Sequence, residues 1–248
     1  FAFSLSIFII GNYNSSLVFS LLDLIFPKRC VSCGRVGKYI CDGCFSKIEF
    51  VEKPVCPVCQ RQAVSGRTHP GCANKYRLDG LVVACRYRGP VKVAIAKVKY
   101  RWVYDIGKIL VDLIVSNMWR FDLPEGLILV PVPLHSRRKR WRGFNQAEIL
   151  ARSLAKSFGV PFADVLIRIR ETKTQVRLKK DERRDNVRGA FALRLAPLAQ
   201  GKTISSVFGR DIVLVDDVYT SGATMAECCR ILKKAGAKSV WGMAVALG

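Results

Sequence analysis

The cysteines are the residues of this sequence whose spacing indicates chemistry most directly. Seven of the ten lie between residues 30 and 72, and six of these form three C-x-x-C pairs. One tight turn presents both thiolates of such a pair, and two pairs supply the four ligands of a tetrahedral zinc ion. The first two pairs therefore predict a structural zinc site made of Cys30, Cys33, Cys41 and Cys44.

A second metal site is predicted with a histidine among its ligands. Cys56 and Cys59 form a third pair, and His69 stands three positions before Cys72. Three cysteines and one histidine are an ordinary ligand set for zinc. The spacing leaves open whether the pairs combine in chain order or crosswise. Four protein ligands leave no coordination position for catalysis, so both metals are predicted to be structural.

A second chemical segment lies near the C-terminus, where an apolar run ends in two adjacent carboxylates, Asp216 and Asp217. A turn rich in hydroxyls and glycine follows, and then a predicted helix. In open α/β sheets, ligands bind at the carboxyl ends of parallel strands, and a turn that leads into a helix holds phosphate. Carboxylates accept hydrogen bonds from sugar hydroxyls or hold Mg²⁺. The segment predicts a phosphorylated-sugar site with the turn residues Thr220, Ser221, Gly222, Ala223 and Thr224.

Five cations between residues 137 and 142 precede another predicted helix. A charge run is usually a solvated face. Beside a sugar-phosphate site it is instead interpreted as an anion clamp, because guanidinium groups bind phosphate oxygens in pairs. The candidate residues here are Arg137, Arg142 and Gly143.

The elements that position these residues alternate between strand and helix. Continuous apolar runs predict strands at 81–85, 127–130, 212–215 and 239–247. Helical periodicity predicts helices near 91–98, 105–119, 145–158 and 222–235, and a short helix at 17–26. Strands buried on both faces and separated by helices indicate an α/β fold with a mostly parallel sheet. Residues 170–190 are predicted to form a long exposed loop.

Three segments are predicted: an N-terminal extension at 1–26, a metal-binding module at 27–76 and the α/β domain at 77–248. The chain has 248 residues, half of them hydrophobic, which excludes a disordered tail. The first ten residues are apolar but too few to span a bilayer, so membrane association is not expected. Paired thiolates without a clear secretory signal favour a cytoplasmic protein.

The formal net charge of +22 predicts an anionic partner. The basic residues concentrate at 86–101, 137–142 and 168–188. Cations alternate with aromatic side chains at 86–88 and 97–102, a pattern that also fits single-stranded nucleic acid. A basic, zinc-containing protein that binds single-stranded DNA is therefore one alternative.

The segment that contains Asp216 and Asp217 resembles the phosphoribosyl-pyrophosphate (PRPP) motif of type I phosphoribosyltransferases. Residues 131–135 (PVPLH) and 142–146 (RGFNQ) resemble the ComF (ComFC) family of competence-associated, phosphoribosyltransferase-like proteins. The order of zinc knuckles and transferase-type domain agrees, as do Thr174-Gln175 and residues 184–191. His69 departs from this family, which usually has cysteine there, and residues 1–16 have no match.

The resemblance implies a type I phosphoribosyltransferase-like fold and transfer of ribose 5-phosphate from PRPP, with Mg²⁺ and loss of pyrophosphate. It implies that Asp216 and Asp217 bind the ribose hydroxyls, that residues 220–224 wrap the 5′-phosphate, and that Arg142 acts with the aspartates in catalysis. It also implies a link to DNA uptake. A PRPP sensor without turnover is the second alternative, and nothing in the sequence names the acceptor.

Overall fold

The structure is a computed structural model, and it describes residues 27–100, 104–172, 180–194 and 207–248. The predicted extension at 1–26, with its short helix, lies outside the described residues. So do Thr174 and Gln175, and residues 101–102 of the basic–aromatic segment.

A four-stranded parallel sheet forms the centre of the fold, in the order β1-β6-β5-β2. A separate antiparallel pair joins β3 to β4. The strands are β1 (Gly80–Arg86), β2 (Ile128–Pro131), β3 (Leu166–Arg168), β4 (Phe191–Leu193), β5 (Asp211–Tyr219) and β6 (Ser239–Leu247). The parallel sheet confirms the predicted fold class, and its four strands are those predicted.

Seven α-helices lie in the described ranges. They are α1 (Asp42–Phe45), α2 (Gly89–Tyr100), α3 (Tyr104–Val115), α4 (Ser136–Arg142), α5 (Gln146–Phe158), α6 (Lys180–Val187) and α7 (Ala223–Lys234). Short 3₁₀ turns occupy Val64–Gly66, Pro70–Cys72 and Met118–Arg120. None of the described helices has the length and apolar character needed to cross a bilayer.

Both faces of the sheet are buried, because successive side chains of a strand point to opposite faces. Along β5, Val213 and Val215 belong to one apolar core, whereas Ile212 and Leu214 belong to the other. Helices α3 and α5 contact the sheet strands, as does α7. The polar residues that follow these apolar positions therefore emerge together at the carboxyl edge of the sheet.

The prediction of an uninterrupted loop at 170–190 is wrong, because helix α6 begins at residue 180. Its sequence, KDERRDNV, has almost no apolar periodicity, and its one fully buried described side chain is Val187. The cation run, which was predicted only to precede a helix, itself forms helix α4. The β3–β4 pair was not predicted, since each strand has only three residues.

The metal-binding module is joined to the sheet by backbone hydrogen bonds. The N–H of Val51 donates to Ala84 O at 2.9 Å, and the N–H of Arg86 donates to Glu49 O at 2.7 Å. On the other side of the module, the N–H of Thr68 donates to Asp79 O at 2.9 Å. The module thus extends the edge of the sheet at β1, which fixes its position relative to the carboxyl edge.

Candidate functional site

The first predicted metal site is assembled in chain order. The sulfur atoms of Cys30, Cys33, Cys41 and Cys44 all lie within 4.8 Å of one another, and the Sγ atoms of Cys33 and Cys41 are 3.6 Å apart. Burial alone would raise the pKa of Cys30, but backbone N–H groups, chiefly that of Cys41, lower it to about 6. A thiolate at neutral pH is the form that binds zinc.

The second site contains His69, as predicted. Its ligand atoms, which belong to Cys56, Cys59, His69 and Cys72, also lie within 4.8 Å of one another. The Nδ1 atom of His69 is 3.4 Å from the Cys59 sulfur, while Nε2 is 2.9 Å from the carbonyl of Gln62. Donation from Nε2 would leave Nδ1 free to ligate, which is the usual arrangement behind a zinc-bound histidine. The pairs combine in chain order, and the crosswise alternative is excluded.

The other three cysteines are core residues, as predicted. Cys85, Cys228 and Cys229 are each fully buried. Burial raises the pKa of Cys85 and of Cys229 to about 12, and that of Cys228 well above its ordinary value. All three are therefore neutral thiols that fill space between the sheet and its helices.

The predicted phosphate turn follows β5 directly. Gly222 has a φ of 72°, and a Cβ at this position would lie 2.1 Å from the Tyr219 hydroxyl, so only glycine fits. Helix α7 begins at Ala223, whose N–H donates to Ser221 Oγ at 3.4 Å. The positive dipole end of α7 thus lies directly after the turn, as anion binding requires.

The turn borders a cavity of about 600 Å³. Both aspartates line it: Asp216 is half-buried, whereas Asp217 is only 6% exposed. The N–H of Asp217 donates to Asp216 Oδ1 at 2.8 Å, which fixes the position of that carboxylate. Predicted site residues that line the cavity are Arg142, Asp216, Asp217, Thr220, Gly222, Ala223 and Thr224.

Three predicted site residues do not line the cavity. Arg137 is exposed and pairs with Glu171 at 3.3 Å. Gly143 ends α4 with a φ of 86°, and its N–H donates to Lys139 O at 2.8 Å. Ser221 caps the start of α7 instead. Gly143 and Ser221 instead lie at helix ends, and Arg137 lies on the protein surface.

Helix α5 links two predicted site residues through one that was not predicted. The Nη1 of Arg142 donates to Gln146 Oε1 at 2.5 Å, and the Nε2 of Gln146 donates to Asp217 Oδ2 at 3.4 Å. Asn145, which caps α5 by accepting from the N–H of Ala147, also donates to Val132 O at 3.0 Å. The start of α5 is thus fixed to the end of β2, and it holds Arg142 beside the aspartates.

Three further arginines line the cavity: Arg138, Arg168 and Arg183. Burial, followed by the charge of Arg138, lowers the pKa of the Arg168 guanidinium, whereas Asp216 acts in the opposite direction. Arg168 donates to the hydroxyl of Thr172 and lies over the ring of Phe191. The sequence marks Arg168 only as part of a basic segment, because no motif identifies the β3–β4 pair.

Helix α6, which brings Arg183 to the cavity, is attached to α7 through a buried carboxylate. Glu227 Oε1 accepts from the N–H of Gly189 at 2.9 Å, and both carboxylate oxygens accept from Arg230. Burial alone would raise the pKa of Glu227, but these hydrogen bonds lower it below its ordinary value. The carboxylate therefore stays charged and holds the end of α6 in place.

Comparison with known proteins agrees with this two-part arrangement. Residues 21–73 match the double zinc ribbon domain, and residues 142–247 match the phosphoribosyl transferase domain. Competence protein F of Haemophilus influenzae is 30% identical over 88% of this chain and 97% of its own length. DNA utilization protein YhgH of Escherichia coli K12 is 32% identical over 88% and 96%, and competence protein ComFC of Bacillus subtilis is 30% identical over 81% of each.

Proposed function

The chain belongs to the family of competence protein F and ComFC, and we propose that it binds PRPP with Mg²⁺ and transfers its ribose 5-phosphate group. One observation carries this proposal. Two carboxylates, the predicted phosphate turn and four arginines line one cavity. PRPP carries ribose hydroxyls between a monophosphate and a pyrophosphate, and this distribution of charge matches such a ligand.

The turn is the candidate site for the 5′-phosphate. Its backbone N–H groups and the hydroxyls of Thr220 and Thr224 supply donors, and the start of α7 adds a partial positive charge. Asp216 and Asp217 are then placed to accept hydrogen bonds from the ribose hydroxyls. This assignment retains the roles implied by the family resemblance.

The pyrophosphate is assigned to the arginines that line the cavity. Arg142 is oriented by Gln146, and the half-buried Arg168 lies over the Phe191 ring of β4, so both guanidinium groups are held before the ligand arrives. Breaking the bond at the anomeric carbon leaves positive charge on the ribose and negative charge on the departing pyrophosphate. Donors fixed at the leaving group lower this barrier because they need no reorganisation.

The oxygen-rich pair Asp216 and Asp217 also fits Mg²⁺, which is held by one or two carboxylates together with substrate phosphates. When bound, the ion would neutralise charge on the pyrophosphate. Exclusion of water is assigned to α6, because its residue Arg183 lines the cavity. The acceptor is not defined by any residue of the cavity.

The test is calorimetric titration of PRPP into the full-length protein with and without Mg²⁺. We expect binding that depends on Mg²⁺, and a loss of at least tenfold in affinity for Asp216→Asn/Asp217→Asn. Undiminished binding by this double variant would remove the site assignment. Release of pyrophosphate across a panel of acceptors then separates a transferase from a PRPP sensor, since a sensor binds but releases none.

A second candidate function is the binding of single-stranded DNA beside the cavity. Trp141 lines the cavity mouth and is 73% exposed, and exposed cations flank it on α4. Base stacking on an aromatic ring together with phosphate contacts is how proteins bind single strands without sequence preference. A salt-dependent gel shift that survives Asp216→Asn/Asp217→Asn would establish it as separate from PRPP binding.

The names of the relatives, which refer to competence and DNA utilization, support a role of this protein in DNA uptake alongside DNA-uptake proteins. We place this role in the cytoplasm, because the two thiolate clusters need a reducing compartment to remain available for zinc. Zinc retention in protein purified from cell extract under reducing conditions, compared with oxidising conditions, tests the requirement.

A further inference from the structure

The second zinc knuckle contacts the phosphate turn directly. The side-chain Nε2 of Gln60 donates to the carbonyl of Thr220 at 2.7 Å. The hydroxyl of Tyr219, which is only 3% exposed, donates to the carbonyl of Pro57 at 2.6 Å. These bonds join residues that are 160 and 162 positions apart in the chain. Both knuckle residues lie within or beside the pair Cys56 and Cys59.

The Tyr219 hydroxyl also packs directly against the turn at Gly222. It occupies the space in which a side chain at residue 222 would have to lie, 2.1 Å from an added Cβ. The backbone N–H of Gly248 donates to Tyr219 O at 2.9 Å, so the tyrosine backbone is fixed as well. Pro57, Tyr219 and Gly222 therefore form a continuous stack from the knuckle to the turn.

The two knuckles have the same backbone hydrogen bonds but differ in the residue that follows the second cysteine. In both knuckles, the backbone carbonyl of the first cysteine accepts a hydrogen bond from the N–H four residues later. The N–H of the same cysteine donates to the carbonyl five residues later. The residue after the second cysteine has positive φ in each case, 78° at Gly34 and 58° at Gln60. This conformation is easy for glycine and costs another residue about 1–2 kcal/mol. The second knuckle keeps a strained residue whose side chain reaches the phosphate turn.

We propose that the second zinc knuckle positions the phosphate turn, with Gln60 and the Pro57 carbonyl as its positioning residues. Cys56, Cys59, His69 and Cys72 would hold a zinc ion that fixes the knuckle backbone, and with it the direction of the Gln60 side chain and of the Pro57 carbonyl. These groups hold residues 219–222 in the conformation that presents donors to a phosphate. The inference rests on the proposed PRPP site and adds a dependence of that site on one of the two metals.

The decisive variant is Gln60→Gly, because it separates stability from ligand binding. Glycine relieves the strained backbone, so the thermal stability and the zinc content of the protein are expected to be unchanged or higher. The contact with Thr220 is lost, and the PRPP dissociation constant is expected to rise about two- to tenfold, as for the loss of one hydrogen bond. Gln62→Ala is the matched control, since the exposed Gln62 uses only its backbone carbonyl to support His69.

Hydrogen–deuterium exchange tests the same contact without any ligand. Gln60→Gly and Tyr219→Phe are each expected to speed exchange in a peptide covering residues 219–224, whereas Gln62→Ala is not. Cys59→Ser and Cys33→Ser are each expected to lose one zinc per chain, but only Cys59→Ser should loosen the turn. No hydrogen bond found in the described residues joins the first knuckle to this turn.

The two proposals fail in different ways. If the wild-type protein does not bind PRPP, the proposed function fails, while the exchange experiment still decides the coupling. If exchange in the turn and PRPP affinity both stay within error of wild type in Gln60→Gly and in Tyr219→Phe, the coupling is overturned. Equal loosening of the turn by Cys33→Ser and Cys59→Ser would also overturn it, because the effect would then be general unfolding of the module.

Discussion

Replacement of Gln146 by leucine tests whether this buried amide orients the cavity arginine. Gln146 is 8% exposed, accepts from Arg142 at 2.5 Å and donates to Asp217 at 3.4 Å. Leucine has a similar volume but can make neither bond, so the packing of α5 is retained. Arg142 would keep its charge but lose its hydrogen bond to residue 146.

The magnitude follows from the two bonds. A hydrogen bond to a charged group contributes about 1.5–3 kcal/mol, and the 2.5 Å bond to Arg142 is of this kind. The 3.4 Å bond to Asp217 is near the limit of hydrogen-bond geometry and adds little. Since each 1.4 kcal/mol is a factor of about ten in affinity, PRPP binding is expected to weaken about 10- to 100-fold.

The assay is calorimetric titration of Mg²⁺ and PRPP into wild type, Gln146→Leu, Arg142→Ala and the double variant. Because Gln146 is inferred to act through Arg142, the two losses should not add. Additivity within about 0.5 kcal/mol would refute the reasoning, since independent sites add to that accuracy. Arg140→Ala is the matched control: Arg140 is an exposed arginine of the same helix that does not line the cavity, and its loss should leave affinity unchanged.

Three further predictions concern stability and metal content. Metal analysis should find about two zinc ions per chain, and Cys72→Ser should reduce this to one; a content near zero in wild type would contradict both sites. Gly222→Ala should lower the free energy of unfolding by about 1–3 kcal/mol in urea titrations, because its positive φ and the Tyr219 hydroxyl exclude a Cβ. Glu227→Gln should lower stability by about 1–3 kcal/mol at pH 7. Since the pKa of Glu227 is lowered below 4.5, this difference should persist above that pH and shrink as the pH falls further; a difference independent of pH down to 3 would exclude an ionic role.

The parts of the fold that could be predicted are those whose signal is local. The apolar run before Asp216 marks a buried strand, and the pair spacing from Cys30 onward marks zinc knuckles, because a few neighbouring residues determine each. Helix α6 carries no such signal: it has no apolar stripe, and its position depends on Val187 and on the carboxylate of Glu227. Packing supplied by a distant helix cannot be deduced from the periodicity of the segment itself.

The candidate site divides in the same way. The aspartates and the turn of residues 220–224 lie in one continuous motif, and their clustering needs only a strand that ends beside a helix. Arg168 and Gln60 come from elements that only the tertiary fold brings to this edge. Gln60 is 160 residues from its partner Thr220, and nothing in the spacing of a zinc knuckle indicates which residue its side chain reaches.

Folding of the cation run into helix α4 divides its arginines between two faces, which the sequence alone does not indicate. As a run, residues 137–142 predicted a single anion clamp. As helix α4, they separate by face, since positions four apart lie on the same side. Arg138 and Arg142 therefore line the cavity together, with Trp141 at its mouth, while Arg137 and Arg140 are exposed. One short helix thus presents two basic surfaces, one that lines the cavity proposed to bind PRPP and one that is exposed on the surface. Because they share no arginine, substitutions on one face can test PRPP binding and substitutions on the other can test DNA binding.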